Sequence, residues 1–265
     1  MAGAKKIRTL FTKPESLKET PTIYCPGCGH GIIHRLLAEV LDEMGARERV
    51  LSVAPVGCAV FAYHYFNFDC MEAPHGRTPV VATGLKRAHP DCLVFSYQGD
   101  GDLAAIGTAE IIHCANRGEK ITVIFVNNGT YGMTGGQMAP TTLLAQKSTT
   151  TVSGREAARD GYPLKITEML ALTPGSVFLA RGSIHSPRHV RITKQYIRKA
   201  FEIQDQKLGF TLVEILSTCP VNWKLSPADS LRRIEEVVTK DYPLGIIKDT
   251  TSNSTNPSSA ALAEE

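Results

Sequence analysis

Five short apolar runs, separated by helical patterns, constrain the fold of this chain most strongly. They are VLSVAPV (residues 50–56), CLVFSYQ (92–98), ITVIFVN (121–127), SVFLARG (176–182) and FTLVEIL (210–216). The runs are continuous rather than alternating, which is typical of parallel strands that are covered on both faces. We therefore predict an α/β fold: an open, mostly parallel sheet with helices on both faces.

Amphipathic patterns between these runs predict the helices. Helices are expected from His30 to Met44, from Asp102 to about Asn116, and over residues 187–207 and 226–239. Gly45 and Gly118 follow the first two and suit the C-terminal cap, where a left-handed backbone favours glycine.

Length and composition favour one large domain. The chain has 265 residues, of which 43% are hydrophobic and 21% charged, as in ordinary globular proteins. No internal repeat or linker divides it, so we predict a single domain over residues 21–248. The polar segment 1–20 and the Ser-, Thr- and Asn-rich segment 249–265 are predicted to be mobile and disordered, respectively.

Charge and apolar patterning exclude several partners. The formal net charge of +3 is too small to indicate nucleic acid or an anionic membrane surface. No apolar run reaches 18 residues, and the N-terminus lacks the apolar core of a signal peptide. The sequence therefore predicts a soluble, cytoplasmic protein. Its seven scattered cysteines indicate metal binding or catalysis rather than a disulfide framework.

The turn Gly99-Asp100-Gly101 follows one apolar run and precedes a helix, which places it where α/β proteins bind ligands. The helix N-terminus offers free N–H groups to an anion such as a diphosphate. Because phosphate repels a carboxylate unless a divalent cation bridges them, Asp100 is interpreted as a Mg²⁺ ligand.

The next strand ends in Asn127-Asn128, after 25 intervening residues. The Asn128 amide oxygen and a loop carbonyl near Thr130 are candidates to complete the Mg²⁺ shell. Taken singly, the GDGD segment is better explained as a turn with a helix cap, and the NN pair as a strand end. The combination at this spacing favours the metal site.

A Cys-x-x-Cys pair at Cys25 and Cys28 is ambiguous by itself, since redox pairs, zinc sites and plain turns all use it. A thioredoxin-like role would require a preceding strand, which the sequence does not indicate. Together with Cys58 and Cys219, the pair offers four thiolates that suit either Zn²⁺ or a four-iron cluster.

The GDG segment followed by NN resembles the thiamine diphosphate-binding motif, which implies that diphosphate is anchored through Mg²⁺ and that the chemistry acts on a 2-oxo acid. The ordered set CPGCGH, VGC, HGR, GDGD, NNGTYGMTGGQ and CPVNW, from about residue 22 to about 245, resembles the β subunit of 2-oxoacid:ferredoxin oxidoreductases. This resemblance implies that Cys25, Cys28, Cys58 and Cys219 hold a [4Fe–4S] cluster.

The resemblance also implies a set of cofactor contacts. These are Val56, Gly57, Cys58, Ala59, His75, Gly76, Arg77, Thr78, Gly101, Asp102, Gly132 and Met133. For His75 and Arg77 a plain surface turn remains an alternative. The other cysteines, Cys70, Cys92 and Cys114, match no ligand position and are predicted to be small buried hydrophobes.

The implied reaction is oxidative decarboxylation of a 2-oxo acid to acyl-CoA and CO₂, with two electrons passing singly through the cluster to ferredoxin. No glutamate of this chain is placed to activate the cofactor. The family resemblance implies that another subunit, α, carries the pyrimidine-side domain. The family resemblance also allows γ and ferredoxin-like δ subunits.

Alternatives remain open at this point. A non-redox thiamine-dependent decarboxylase subunit would share GDGD and NN without needing four cysteines, and an iron–sulfur or zinc module would leave Asp100 and Asn128 unexplained. The segment MTGGQ (133–137) offers no Lys or Arg for a second substrate carboxylate, which favours branched-chain 2-oxo acids such as 2-oxoisovalerate over 2-oxoglutarate.

Overall fold

The computed structural model describes residues 12–251, which are built around a seven-stranded sheet. The strands are β1 (Val50–Ala54), β2 (Asp69–Glu72), β3 (Leu93–Gly99), β4 (Thr122–Asn127), β5 (Ser176–Ser183), β6 (Phe210–Leu216) and β7 (Gly245–Asp249). Their order is β2-β1-β3-β4-β6-β5-β7, and all neighbours are parallel except β5 and β7. The prediction of an open, mostly parallel sheet is confirmed.

The two strands that the sequence did not predict, β2 and β7, form the edges of the sheet. Both are short, and their residues are exposed or half-buried. An edge strand is covered incompletely, so it does not need the continuous apolar run by which the central strands were found. β1 is shorter than predicted, because Pro55 and Val56 leave the sheet as a loop.

Helices connect the strands close to the predicted positions. They are α1 (His30–Glu43), α2 (Ala62–Tyr65), α3 (Thr78–Ala88), α4 (Thr108–Asn116), α5 (Ala157–Asp160), α6 (Ile166–Ala171), α7 (Pro187–Asp205), α8 (Pro220–Trp223), α9 (Pro227–Arg233) and α10 (Thr239–Asp241). The predicted helix from Asp102 begins instead with a π-helical turn over Asp102–Ile106, in which the Gly107 N–H donates to the Asp102 carbonyl (2.9 Å). Such turns are frequent at functional sites. A second π turn, Ile234–Val238, joins α9 to α10.

The core has two layers, one on each face of the sheet. On one face, α1 and α7 bury residues such as Leu37 and Phe201 against the strands. On the other face, α3, α4 and α6 bury residues such as Ala82, Ile111 and Leu170. All of these side chains are fully buried. Both faces of the sheet are therefore covered, as the continuous apolar runs require.

The chain ends lie partly outside the described residues, and so do the predictions of a mobile segment 1–20 and a disordered segment 249–265. Within residues 12–20, Ser16 is buried and donates through its hydroxyl to Asp42 (2.5 Å), and Leu17 pairs with Phe66. This stretch is therefore packed against the domain. Among the described residues, no helix is long and apolar enough to cross a membrane.

The three cysteines without a predicted ligand role differ in burial. Cys114 is buried in α4, as predicted. Cys70 on the edge strand β2 and Cys92, directly before β3, are only half-buried. Their prediction as buried hydrophobes is corrected accordingly, because both lie at the margins of the sheet.

Candidate functional site

A cavity of about 120 Å³ lies at the carboxyl ends of the central strands. Its lining residues are His30, Val56, Gly57, Cys58, Ala59, His75, Gly99, Asp100, Gly101, Asp102, Val126, Asn128, Thr130, Tyr131, Gly132, Met133 and Thr134. The loops after β1, β3 and β4 thus meet at one place, as expected for a ligand site of a parallel sheet. The predicted cofactor residues Gly76, Arg77 and Thr78 are not in this lining.

Asp100 is a buried carboxylate, 2% exposed, that has only neutral donors. It accepts hydrogen bonds from the Gly101 N–H (2.8 Å) and the Thr141 hydroxyl (2.7 Å), and the N–H groups of Gly129 and Thr130 also stabilise its charge. Burial nevertheless raises the pKa of Asp100 to about 6. A buried carboxylate without a cationic side chain beside it fits a site for a divalent cation.

Asn127 and Asn128 play different parts because successive side chains of a strand face opposite ways. The Asn127 amide donates to the buried Glu214 carboxylate (2.8 Å), which anchors the end of β4 in the core. Asn128 lines the cavity, and its amide oxygen accepts from the Thr130 N–H (3.1 Å). One lone pair of that oxygen remains available for a metal ion.

Asp102 lines the cavity and also holds the loop 75–78 in place through hydrogen bonds. Its carboxylate accepts from the N–H of Gly76 (2.8 Å) and the side chains of Thr78 (3.4 Å) and Gln98 (2.7 Å), and it contacts Nδ1 of His75 (2.6 Å). Gly76 and Thr78 are buried and do not line the cavity. The sequence prediction missed this role, because Gln98 carries no motif signal.

Arg77 lies on the protein surface, where its guanidinium pairs with Glu110. The Arg77 side chain is thus engaged with α4, and its predicted contact with the cofactor stays a prediction. His75 of the same loop does line the cavity.

Gly101 permits close packing in the site. A Cβ atom at this position would lie 2.2 Å from the ring of Tyr131, whose hydroxyl donates to the Gly101 carbonyl (3.4 Å). No larger residue fits without displacing that ring. The glycine of the GDGD turn is thus required by packing against Tyr131.

The end of β6 brings Cys219 to the Cys25–Cys28 loop. The Thr218 hydroxyl donates to the Gly27 carbonyl (2.6 Å), and the buried Ser217 lies directly against Gly29. The N–H of Cys28 closes the loop by donating to the Cys25 carbonyl (3.0 Å). Two segments that are almost 200 residues apart in sequence are thereby joined.

The four predicted ligand cysteines interact electrostatically in every pairwise combination. Burial, with a smaller contribution from the neighbouring thiolates, raises the pKa of Cys28 to about 12 and that of Cys58 to about 11. Burial also raises the pKa of Cys219. Sγ atoms of Cys58 and Cys219 lie 3.2 and 3.6 Å from the Cβ position of Gly132.

Within residues 12–251, no group of three or more His, Cys, Asp or Glu side chains is already arranged to hold a metal ion. The four thiols nevertheless lie in one region of the structure, since each interacts electrostatically with the others. Four thiolates in one region suit either zinc or a four-iron cluster.

Several residues of the site carried no signal recognised in the sequence. His30 lines the cavity and contacts the Tyr97 hydroxyl through Nδ1 (2.5 Å), and Tyr24 stacks on its ring. The Tyr24 hydroxyl also donates to the Cys58 carbonyl (3.0 Å). Both residues flank CPGC in the segment YCPGCGH, so their proximity to the cysteine pair was the available clue.

Residues 55–215, more than half of the chain, match the family model of the thiamine pyrophosphate enzyme C-terminal TPP binding domain. The fold and the cavity therefore define a thiamine diphosphate-binding α/β domain. The chain belongs, more narrowly, to the thiamine diphosphate-binding subunits of the 2-oxoacid:ferredoxin oxidoreductase family, as three similar proteins show.

The ketoisovalerate oxidoreductase subunit VorA of Methanothermobacter thermautotrophicus is 45% identical to this chain. The matched region covers 91% of this chain and 53% of VorA. The 2-oxoglutarate synthase subunit KorB of Methanocaldococcus jannaschii is 37% identical to this chain. The matched region covers 82% of this chain and 78% of KorB. The solved 2-oxoglutarate:ferredoxin oxidoreductase from Magnetococcus marinus, with 2-oxoglutarate, coenzyme A and succinyl-CoA bound, has a TM-score of 0.74 at 26% identity, covering 90% of this chain and 85% of that one. The chain thus spans about half the length of the VorA relatives.

Proposed function

We propose that this chain is the thiamine diphosphate- and [4Fe–4S]-binding subunit of a 2-oxoacid:ferredoxin oxidoreductase, which converts a 2-oxo acid to acyl-CoA and CO₂ and passes the electrons to ferredoxin. The observation that carries the proposal is the position of Cys58. It lines the cavity beside Asp100 and also belongs to the group of four cysteines. An organic redox centre and a metal cluster would therefore be neighbours.

The residues around the cavity would hold the diphosphate and its metal ion. Asp100, the Asn128 amide oxygen and the Thr130 carbonyl supply the hard oxygen ligands that Mg²⁺ prefers. Thiamine diphosphate, when bound, supplies a carbon nucleophile that allows a 2-oxo acid to lose CO₂. Val56, Gly57 and Ala59 after β1, together with Met133, give the cavity a mainly small or apolar surface.

A cluster explains the cysteines better than zinc does. Four thiolates would also suit a tetrahedral zinc ion, but zinc does not change its oxidation state and so cannot carry electrons. A four-iron cluster needs four cysteines around a larger volume and accepts electrons singly, as the reaction demands. Cys25, Cys28, Cys58 and Cys219 are its proposed ligands.

The cavity is incomplete without a partner subunit. Its only acidic lining residues, among those described, are Asp100 and Asp102, both committed elsewhere, so no carboxylate remains to activate the cofactor. Val56, Met133 and Ile106 are 42%, 43% and 47% exposed around this region. An α subunit carrying the pyrimidine-side domain would cover this apolar rim and supply the carboxylate. Further γ and ferredoxin-like δ subunits are compatible with this arrangement.

Branched-chain 2-oxo acids such as 2-oxoisovalerate are the favoured substrates. The described cavity lining contains no Lys or Arg to pair with a second carboxylate, and the VorA relative is named as a ketoisovalerate oxidoreductase subunit. 2-Oxoglutarate is the second candidate, because the KorB relatives are named 2-oxoglutarate synthase subunits. That substrate would require the partner to supply the cation.

The test is to purify the intact complex anaerobically through a tag on this chain and to measure ferredoxin reduction with 2-oxoisovalerate, 2-oxoglutarate and pyruvate, each with coenzyme A. We expect iron and thiamine diphosphate in the complex, and the highest kcat/KM with 2-oxoisovalerate. A complex without iron would refute the oxidoreductase proposal. A preference for 2-oxoglutarate would refute only the substrate assignment.

A further inference from the structure

The short helix α8, which directly follows Cys219, contacts both halves of the site. The Nδ2 amide nitrogen of Asn222 donates to Sγ of Cys219 (3.2 Å) and to the carbonyl oxygen of Gly132 (3.1 Å). The neighbouring Trp223 donates through Nε1 to the carbonyl oxygen of Asn128 (3.1 Å). One helical turn therefore ties a cysteine of the sulfur group to the loop that lines the cavity.

The partners of Asn222 determine how its amide is oriented. A carbonyl oxygen and a thiolate sulfur are acceptors, and the amide nitrogen has two N–H donors, one for each. With the amide reversed, its oxygen would face both acceptors. The Oδ1 atom instead lies against Gly136, where it is 2.7 Å from the position of a Cβ atom. The absence of a side chain at Gly136 thus makes room for the amide.

We propose that Asn222 is a positioning residue that sets the reduction potential of the iron–sulfur cluster. The inference rests on the proposed function, since it requires Cys219 to be a cluster ligand. Hydrogen bonds to the ligating sulfurs are among the factors that tune cluster potentials. An N–H donor stabilises the extra negative charge of the reduced cluster, so the Asn222 amide raises the potential.

The hydrogen bond from Nδ2 of Asn222 to the Gly132 carbonyl links the donor that contacts Cys219 to the cofactor cavity. Because Nδ2 is also fixed to the Gly132 carbonyl, the donor to Cys219 is held in place by the loop that borders the cofactor cavity. The Asn222 amide therefore adjusts the reduction potential of the cluster at the side that faces the cofactor cavity, from which the electrons arrive. Trp223 secures the same helix to Asn128 without contacting a sulfur.

The test compares the wild-type complex with Asn222→Leu, which has a similar volume but no donor. Reduction potentials are measured by titration monitored with electron paramagnetic resonance. We expect the variant to retain its iron and to shift to a more negative potential by at least a tenfold change in the reduction equilibrium, which is 59 mV for one electron. Pulsed measurements in D₂O should also show the loss of an exchangeable proton coupled to the reduced cluster.

The matched control is Trp223→Phe, which removes the other side-chain donor of α8 and leaves the Asn222 amide in place. We expect its reduction equilibrium to stay within twofold of wild type. An unchanged potential in an iron-replete Asn222→Leu variant would overturn the role of Asn222, while the proposed function would stand. Wild-type protein without iron would overturn the proposed function itself.

If Asn222→Leu loses iron, Asn222→Ser is measured in the same way, because its smaller side chain imposes no bulk on the loop. A negative shift in the iron-replete Ser variant supports the inference. Loss of iron from both variants would overturn it, since the amide would then retain the cluster rather than tune it.

Discussion

A buried ion pair behind the site gives the sharpest stability prediction. Arg181 and Glu214 are each 1% exposed and are joined through Nε of the arginine (2.8 Å). Glu214 also accepts from Asn127 (2.8 Å) and Thr167 (2.6 Å), while Arg181 makes two bonds to the half-exposed Glu168. Removing Arg181 therefore leaves one buried carboxylate without a cation, and its remaining donors are neutral.

Arg181→Met is expected to lower the free energy of unfolding by about 3–5 kcal/mol, the typical cost of breaking one side of a buried pair. Most of this cost arises from the unpaired charge of Glu214. Adding Glu214→Gln to Arg181→Met should then recover about 1–3 kcal/mol, because the neutral amide can still accept from one of its donors.

The assay is urea unfolding at pH 7, followed by the fluorescence of Trp223, the only tryptophan in the sequence. Arg49→Met is the control, since its pair with Asp205 is exposed and should contribute less than about 1 kcal/mol. The reasoning is refuted if Arg181→Met costs no more than this control, or if adding Glu214→Gln destabilises the protein further.

Three further outcomes are expected. Burial lowers the pKa of His30 from 6.5 to about 4. Between these two pH values the unfolded chain binds a proton on His30 and the folded chain does not. The free energy of unfolding should therefore fall by roughly 3 kcal/mol as the pH falls from 6.5 to 4. Urea unfolding at several pH values should show a shallower slope for His30→Gln than for the exposed control His113→Gln, and equal slopes would contradict the assignment. Asp100→Ala should lose thiamine diphosphate but keep its iron, as measured on the purified complex; stoichiometric cofactor in this variant would remove Asp100 from the metal site. Cys219→Ser, purified anaerobically, should lose or degrade the cluster and slow ferredoxin reduction while keeping thiamine diphosphate, and a variant with full iron and normal electron transfer would exclude Cys219 as a ligand.

The central strands and the turn at Asp100 could be predicted because their signals are local. A continuous apolar run indicates a strand that is covered on both faces. An acidic residue between two glycines at the end of that strand indicates a ligand-binding turn. The edge strands lacked such a signal because half of their surface is exposed. The HGR segment was less informative, since its sequence does not reveal that Arg77 pairs with Glu110 while His75 lines the cavity.

The positioning contacts of the site could not be predicted from one sequence. Thr141 supports Asp100 from 41 residues away, and Glu214 holds Asn127 across 87 residues. Neither residue belongs to a motif. Such pairs become apparent only when the order of the strands is known, because neighbouring strands such as β4 and β6 are not consecutive in the chain.

The joining of β6 to the Cys25–Cys28 loop has a consequence for the biogenesis of the protein. Cys219 follows Cys58 by 161 residues and lies just after β6, which pairs with β4. The complete set of four thiols is therefore not present on the growing chain until six of the seven strands have been synthesised. If these cysteines hold the proposed cluster, it would be inserted only after nearly the whole domain has been synthesised, and before the proposed partner subunit covers the exposed residues around the cavity.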